Sequence, residues 1–209
     1  MEIKKERKGL FIVVDGLDGI GKGEVERAII GYEQKLGKAV FDTVAFSKAE
    51  SKGLPELVDF WNPPVRHYHT IVTAEPTYAG IGKAIREEVI AKNGRNYSAE
   101  AEMELYSRDR EVQMKRVVIP AIENRINVVQ SRCCAASLCY QLLRAENEGK
   151  DFEGTKEKIL RHEGNKFQLT HAPDLLIIPT IASVPDVIKR LEERKANRKD
   201  DKSIFDNLS

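Results

Sequence analysis

A short apolar run, LFIVV at residues 10–14, halts at Asp15-Gly16 and leads into the stretch GLDGIGKGE. That junction constrains the chain more than any other feature. An unbroken apolar run of this length fits a strand buried on both faces, as in a parallel sheet. Beyond the loop, Val25, Ala28, Ile29, Tyr32 and Leu36 fall at helical spacing on one face, and Gly37 supplies a stop. The N-terminal stretch therefore reads as strand, glycine loop and helix.

Gly16, Gly21 and Lys22 satisfy G-x-x-x-x-G-K between that strand and that helix, which is the context a phosphate-binding loop demands. Glycine permits positive φ, so successive backbone N–H groups can turn inward around an anion. The helix N-terminus adds partial positive charge, and Lys22 can reach the β- and γ-phosphates of a nucleotide. Gly16, Leu17, Asp18, Gly19, Ile20, Gly21, Lys22, Gly23 and Glu24 are accordingly the expected nucleotide cradle. The alternative is a glycine-rich turn with no ligand, which the flanking strand and helix disfavour. Position 23 departs from the pattern: Gly23 stands where a Ser or Thr would place a hydroxyl on Mg²⁺. Such an ion keeps most of its waters and needs only one or two protein oxygens beside the phosphates. Glu24 and Ser131 are the metal candidates, with Asp15 and Asp18 as further sources of an oxygen.

Further strands are expected at 70–74 (TIVTA), 127–131 and 174–178 (DLLII). Helices are expected over 81–91, 99–118, 135–147 and 155–164. Ser98 is placed to cap the second of these, and Pro120 to kink it or start a new turn. Alternating strands and helices predict an α/β P-loop fold, a doubly wound parallel sheet of four to five strands flanked by helices. Residues 1–209 read as one domain. A surface insertion, with a short helix around 54–61, is expected near 42–68, and a lid-like charged tail near 190–205.

With 34 basic against 33 acidic residues the formal charge is +1, too balanced for a nucleic-acid binder. Hydrophobic residues make up 41% and charged residues 32%, which suits a soluble globular chain. No apolar run reaches the length of a signal core or a membrane span, so no membrane partner is expected. Three cysteines, two of them the adjacent Cys133 and Cys134, make no disulfide framework, and a reducing, cytoplasmic location follows. His67 and His69 form an H-x-H pair without identifiable further ligands, and a surface or structural role is expected for them.

FIVVDGLDGIGKG resembles the opening of the thymidylate kinases. TAEPTYAGIGKAIREEV is similar to that family's T-R-E-P segment and following helix, and AEMELYSRDREVQMKRVVIPAIENRINVVQSR to its long helix and third strand. ASLCYQ and APDLLII match its S-L-A-Y-Q and P-D-L segments, in order along the chain. The resemblance implies a homodimeric, Mg²⁺-dependent enzyme that transfers the ATP γ-phosphoryl group to dTMP, giving dTDP. It places Tyr106 as the ring stacked on thymine, Arg110 as the base's hydrogen-bond donor, and Arg132 against the acceptor nucleotide. Tyr140 and Gln141 fall where the family reads deoxyribose and base, and Asp15, Asp18, Glu75 and Pro76 join the same acceptor site. Lys22, Arg132, Arg194 and Arg198 are the implied catalytic cations, the last two on the lid. As an alternative, Tyr106 is core and Arg110 a surface charge. Cys133 replaces the aromatic of the family's D-R-x motif, as a pocket wall or a buried inert thiol.

Three departures accompany the resemblance. Ser131 stands for the aspartate of D-R-x, Ala74 stands for the arginine of T-R-E-P, and the family's helix, fifth strand and final helix beyond the lid have no counterpart before Ser209. They motivate two other readings: a catalytically silent nucleotide-binding homologue, and a kinase for a different small acceptor whose pocket is reshaped by 42–68 and T-A-E-P.

Overall fold

In the computed structural model, which describes residues 8–49, 53–180 and 183–197, the apolar run becomes β1 (Phe11–Val14) and the helix after the loop α1 (Lys22–Lys35). Next come β2 (Val40–Asp42), α2 (Thr43–Ala49), α3 (Leu57–Phe60), β3 (Trp61–Asn62), β4 (Arg66–His67) and β5 (Thr70–Ala74). α4 (Gly80–Ala84) continues as a π-helical turn over Ile85–Val89. α5 (Ala99–Gln113) does the same over Met114–Val118 and runs on into α6 (Ile119–Glu123). β6 (Asn127–Ser131), α7 (Cys134–Asn147), α8 (Phe152–Arg161), α9 (Glu163–Thr170), β7 (Leu175–Ile177) and α10 (Val184–Asn197) complete the order.

Five strands form one parallel sheet in the order β2-β5-β6-β1-β7, so the α/β expectation holds at the upper strand count. The edge strand Val40–Asp42, unforeseen in the sequence, is only three residues long and carries no alternation to betray it. β3 and β4 make a separate antiparallel pair. Phe11, Val128 and Ile71 are lateral neighbours, and with Val13 they pack against Met114, Val117, Val118 and Ala121. Phe60 lies in this core at 0% exposure, with Leu57, Trp61 and Tyr68 packed against the same cluster, so the 42–68 segment is anchored in the core.

Local signals explain the boundaries. Ser98 caps α5 by accepting from the Ala101 N–H at 3.2 Å. Pro120 cannot donate to the carbonyl one turn back, and the helix widens into its π turn just ahead of it. Gly37 ends α1 with φ 72°, as expected. The stripe on α1 is a correction. No residue of that helix is buried, and Tyr32 and Leu36 are 63% and 54% exposed: among the described residues α1 packs chiefly on β1, β2 and β6. The outer edge is similarly open at Leu175, Leu176 and Ile178.

A buried polar hub holds the layers in register. Glu75, just past β5, accepts at Oε2 from Arg110 Nε (2.8 Å) and Nη2 (2.7 Å). Its Oε1 accepts from Gln130 Nε2 and Gln168 Nε2, both at 2.9 Å. Arg110 also donates to Asn165 and to Ser137 Oγ, and Gln168 Oε1 accepts from the Cys134 N–H. β5, β6, α5, α7 and α9 therefore meet at one carboxylate. Burial works against the Arg110 charge, but the Glu75 carboxylate outweighs it and holds the guanidinium above its ordinary range.

Two stability changes follow. Glu75→Ala leaves Arg110 buried and unpaired, and lowers unfolding free energy by about 3–5 kcal/mol in denaturant titration. Where α9 meets α5, a Cβ at Gly164 would fall 1.8 Å from the Ser107 carbonyl oxygen. Gly164→Ala therefore costs about 1–3 kcal/mol, read as a lowered Tm, despite its favourable helix propensity.

Candidate functional site

β1 delivers the loop to the C-terminal edge of the sheet, where a parallel α/β fold places its ligands. Gly16, Gly19 and Gly21 take φ of 129°, 77° and 102°, a region closed to most side chains, so the loop depends on glycine at these points. Gly21 immediately precedes α1, and its carbonyl accepts from the Glu24 N–H at 3.0 Å. Lys22 folds back over the loop: Nζ donates to the carbonyls of Gly16 (2.9 Å) and Leu17 (2.8 Å) and lies 3.5 Å from Asp18. Burial and then the nearby Arg132 charge pull the Lys22 pKa down, against Asp18 and Asp15.

Asp18 is the counter-ion of the whole cradle. It pairs with Arg132 as well as Lys22, and its N–H donates to Tyr140 Oη at 3.2 Å. Burial would raise its pKa, but Arg132 and Lys22 prevail and hold it below the ordinary carboxylate range. The Arg132 guanidinium lies 5.3 Å from the Tyr140 ring centre. Asp15 behaves differently from the expectation of a substrate-binding carboxylate. It is 2% exposed, accepts from the Gly16 N–H (2.7 Å), and takes the Cys133 N–H (3.1 Å) and Sγ–H (3.2 Å), so its oxygens tie the loop to the start of α7.

A cleft of 810 Å³ opens beside the loop, and one wall carries Asp18, Gly19, Gly21, Lys22, Gly23 and Glu24. Tyr106, Arg132, Tyr140 and Gln141 line the same space, so the two sets of residues singled out in the sequence converge. Gln141 is 3% exposed, and neither its amide oxygen nor its nitrogen has a hydrogen-bond partner among the described residues. Such an amide is suited to the paired donor and acceptor of a base edge. Glu75, Pro76 and Arg110 form the floor, with the Arg110 donors committed to Glu75, Asn165 and Ser137 rather than free for a base. Burial raises the Tyr106 pKa, leaving its ring neutral.

Several lining residues were not singled out in the sequence, Arg86, Arg190 and Glu26 among them. Arg86 donates from Nε to the Pro76 carbonyl at 2.9 Å and stacks 3.8 Å over the Tyr78 ring, with no carboxylate partner among the described residues. Arg190 reaches the cleft from α10, which is seated on the loop: a Cβ at Gly19 would meet Leu191 Cγ at 2.9 Å. Its position four residues before Arg194 was the available signal. Glu26, four residues after Lys22, lines the cleft too. Of the lid cations named from the sequence, the side chain of Arg194 and the whole of Arg198 lie outside the described residues.

For a metal, no group of three or more His, Cys, Asp or Glu side chains is assembled among the described residues. His67 and His69 stack at 4.7 Å, and His69 Nδ1 accepts from the Ala39 N–H. Glu24, at the exposed rim of the cleft, is paired with Arg27, and Ser131 lines the cleft beside it. A Cβ at Gly23 meets nothing within 4 Å, so packing does not require glycine there.

The comparisons with known proteins bear on this site. The thymidylate kinase family model matches residues 64–208, which takes in the wall carrying Tyr106, Arg132, Tyr140 and Gln141 but not the glycine loop. A probable thymidylate kinase of Thermococcus gammatolerans is 25% identical over 202 residues, covering 94% of this chain and 76% of that protein. The thymidylate kinase of Desulfosudis oleivorans is 37% identical over 133 residues, covering 63% of this chain and 48% of that protein. The chain thus spans between about half and three quarters of the curated relatives it matches. The crystal structure of Ehrlichia chaffeensis thymidylate kinase superposes with a TM-score of 0.54 over 91% of this chain and 86% of that one; at 15% identity this supports the fold alone. No helix among the described residues is long and apolar enough to cross a membrane. By the family match and the α/β fold around this cleft, the chain belongs to the thymidylate kinase family.

Proposed function

We propose that the cleft binds ATP at the glycine loop and dTMP on the opposite wall, and that the γ-phosphoryl group passes between them to give ADP and dTDP. The observation that carries this reading is the convergence of Lys22 and Arg132 with Tyr106, Tyr140 and Gln141 on one cavity. The loop N–H groups cradle the nucleotide phosphates, and Lys22 exchanges its Gly16 and Leu17 carbonyls for phosphate oxygens. Arg132 leaves Asp18 for the transferring group, joined by Arg86 and Arg190 from the two sides. Tyr106 supplies a stacking face, and the Gln141 amide pairs with the base edge. An acceptor phosphate oxygen forms the new P–O bond as the bond to the ADP leaving oxygen breaks, its electron pair staying with ADP. The acceptor is already an oxyanion near neutral pH, so no general base is needed, and electrostatic positioning carries the reaction.

A Mg²⁺ ion bound with ATP would supply neutralisation of the phosphate charge. The residues present fit it through the open loop side of the cleft, with Ser131 and a neighbouring carboxylate as oxygen donors. A homodimer and a cytoplasmic location belong to the same proposal, on the family resemblance alone.

The test is ADP release by the full chain with ATP and dTMP in Mg²⁺. Turnover should depend on dTMP, and Lys22→Ala or Arg132→Ala should each lower kcat/KM by about 10²- to 10³-fold. A folded, ATP-binding protein without turnover on any nucleoside monophosphate would instead establish the silent binder, which Ser131 and the commitment of Lys22 and Arg132 to Asp18 favour. Turnover on another acceptor would reassign the base pocket. Gly23→Ser, which meets open space, should leave Tm unchanged or slightly raised and increase the Mg²⁺-dependent rate.

A further inference from the structure

α1 carries Glu26 one turn beyond Lys22, on the same side of the helix. The side chain lines the cleft together with Gly23, Ser131 and Arg132. Its Oε1 is sealed from solvent and accepts no hydrogen bond from any described residue. Neither nearby cation uses it: Lys22 Nζ is held by Gly16, Leu17 and Asp18, and Arg132 by Asp18. Burial holds the Glu26 carboxyl above its ordinary range, against the pull of the Ser131 hydroxyl, Lys22 and Arg132. A shielded carboxylate oxygen without a donor costs free energy unless something hard and positive meets it.

The other acidic groups around the cleft are occupied. Asp18 serves the two cations, Asp42 accepts from the N–H groups of Val44 and Ala45, Glu75 is saturated by four donors, and Glu24 is paired with Arg27. Gly23 brings no oxygen at all. Glu26 is the carboxylate left over, and it stands beside the loop that the nucleotide phosphates would occupy.

We propose that Glu26 holds the Mg²⁺ of the metal–nucleotide complex, directly or through one of the ion's waters, with the Ser131 hydroxyl beside it. The assignment rests on the nucleotide-binding reading above. It moves the protein's contribution to the metal from the loop's missing hydroxyl to a carboxylate one helical turn further on. Mg²⁺ favours this arrangement, since it takes one or two carboxylate oxygens and fills its octahedron with phosphate and water.

Calorimetric titration of ATP into the full chain, with Mg²⁺ and with EDTA, tests the assignment without relying on turnover. The wild type should bind ATP more tightly with Mg²⁺. Glu26→Gln should lose about 10- to 100-fold of that tightening, while its affinity in EDTA stays level or rises. That metal-free affinity also reports that the variant is folded. Adding Ser131→Asp to Glu26→Gln should restore the Mg²⁺ effect by returning a carboxylate to the same side of the cleft. A Glu26→Gln protein with the wild-type Mg²⁺ dependence overturns the assignment and leaves the nucleotide reading intact. Absence of ATP binding by the wild type in both buffers sinks the nucleotide reading and the metal assignment together.

Discussion

Glu75 and Arg110 place two opposite charges in the middle of the protein, at 4% and 1% exposure, and much of the architecture is arranged to satisfy them. An ionised carboxylate has about four acceptor sites, and here two come from a guanidinium and two from glutamine amides on β6 and α9. The pair is not a source of large net stability, because desolvation offsets most of the attraction. What it contributes is uniqueness: any slip of α5 against β5, or of α9 against β6, would strand a buried charge. The floor of the cleft is therefore rigid, and Tyr106, one turn before Arg110 on α5, inherits that rigidity.

Above this floor the charges are exchangeable. Lys22 and Arg132 both lean on Asp18, so the cationic half of the site is held by an anion belonging to the chain itself. A phosphate entering the loop competes with that carboxylate and with two loop carbonyls, all of which have alternatives in water once released. Asp15 cannot be released so freely, because its three donors are backbone or buried groups of the loop and the start of α7. Two aspartates three residues apart in the sequence thus divide the work, one fixing the loop's attachment and the other its resting charge balance.

This division was not legible in the sequence, and the reason is physical. Spacing revealed the cradle because positive φ at Gly16, Gly19 and Gly21 is a local demand that only glycine meets cheaply. It revealed β1 because a strand buried on both faces needs a continuous apolar run, and it revealed the Ser98 cap because capping is settled within a few residues. Tertiary partners are another matter. Nothing near Arg110 in the chain says that Glu75, Asn165 and Ser137 will consume its donors, and nothing near Val25 or Tyr32 says that the apolar stripe of α1 will stay unburied among the described residues. Arg86 and Arg190 escaped for the same reason: a charged residue on a helix is by default a solvated face, and only the fold turns these two toward a cavity.

Gly23 shows how far a loop's duties can be separated. Anion capture is performed by backbone N–H groups and the helix terminus, which are indifferent to the side chain at that position. Metal holding needs side-chain oxygen, but hard-ion coordination through water is tolerant of where the oxygen originates. One turn of helix advances the chain by about 5.4 Å, which is within the reach of a glutamate side chain leaning back toward the loop. Since a Cβ at Gly23 meets only open space, packing has not excluded a hydroxyl there. The hydroxyl is dispensable where a carboxylate from the next turn already faces the phosphates, and the orphaned Oε1 of Glu26 is the group in that position.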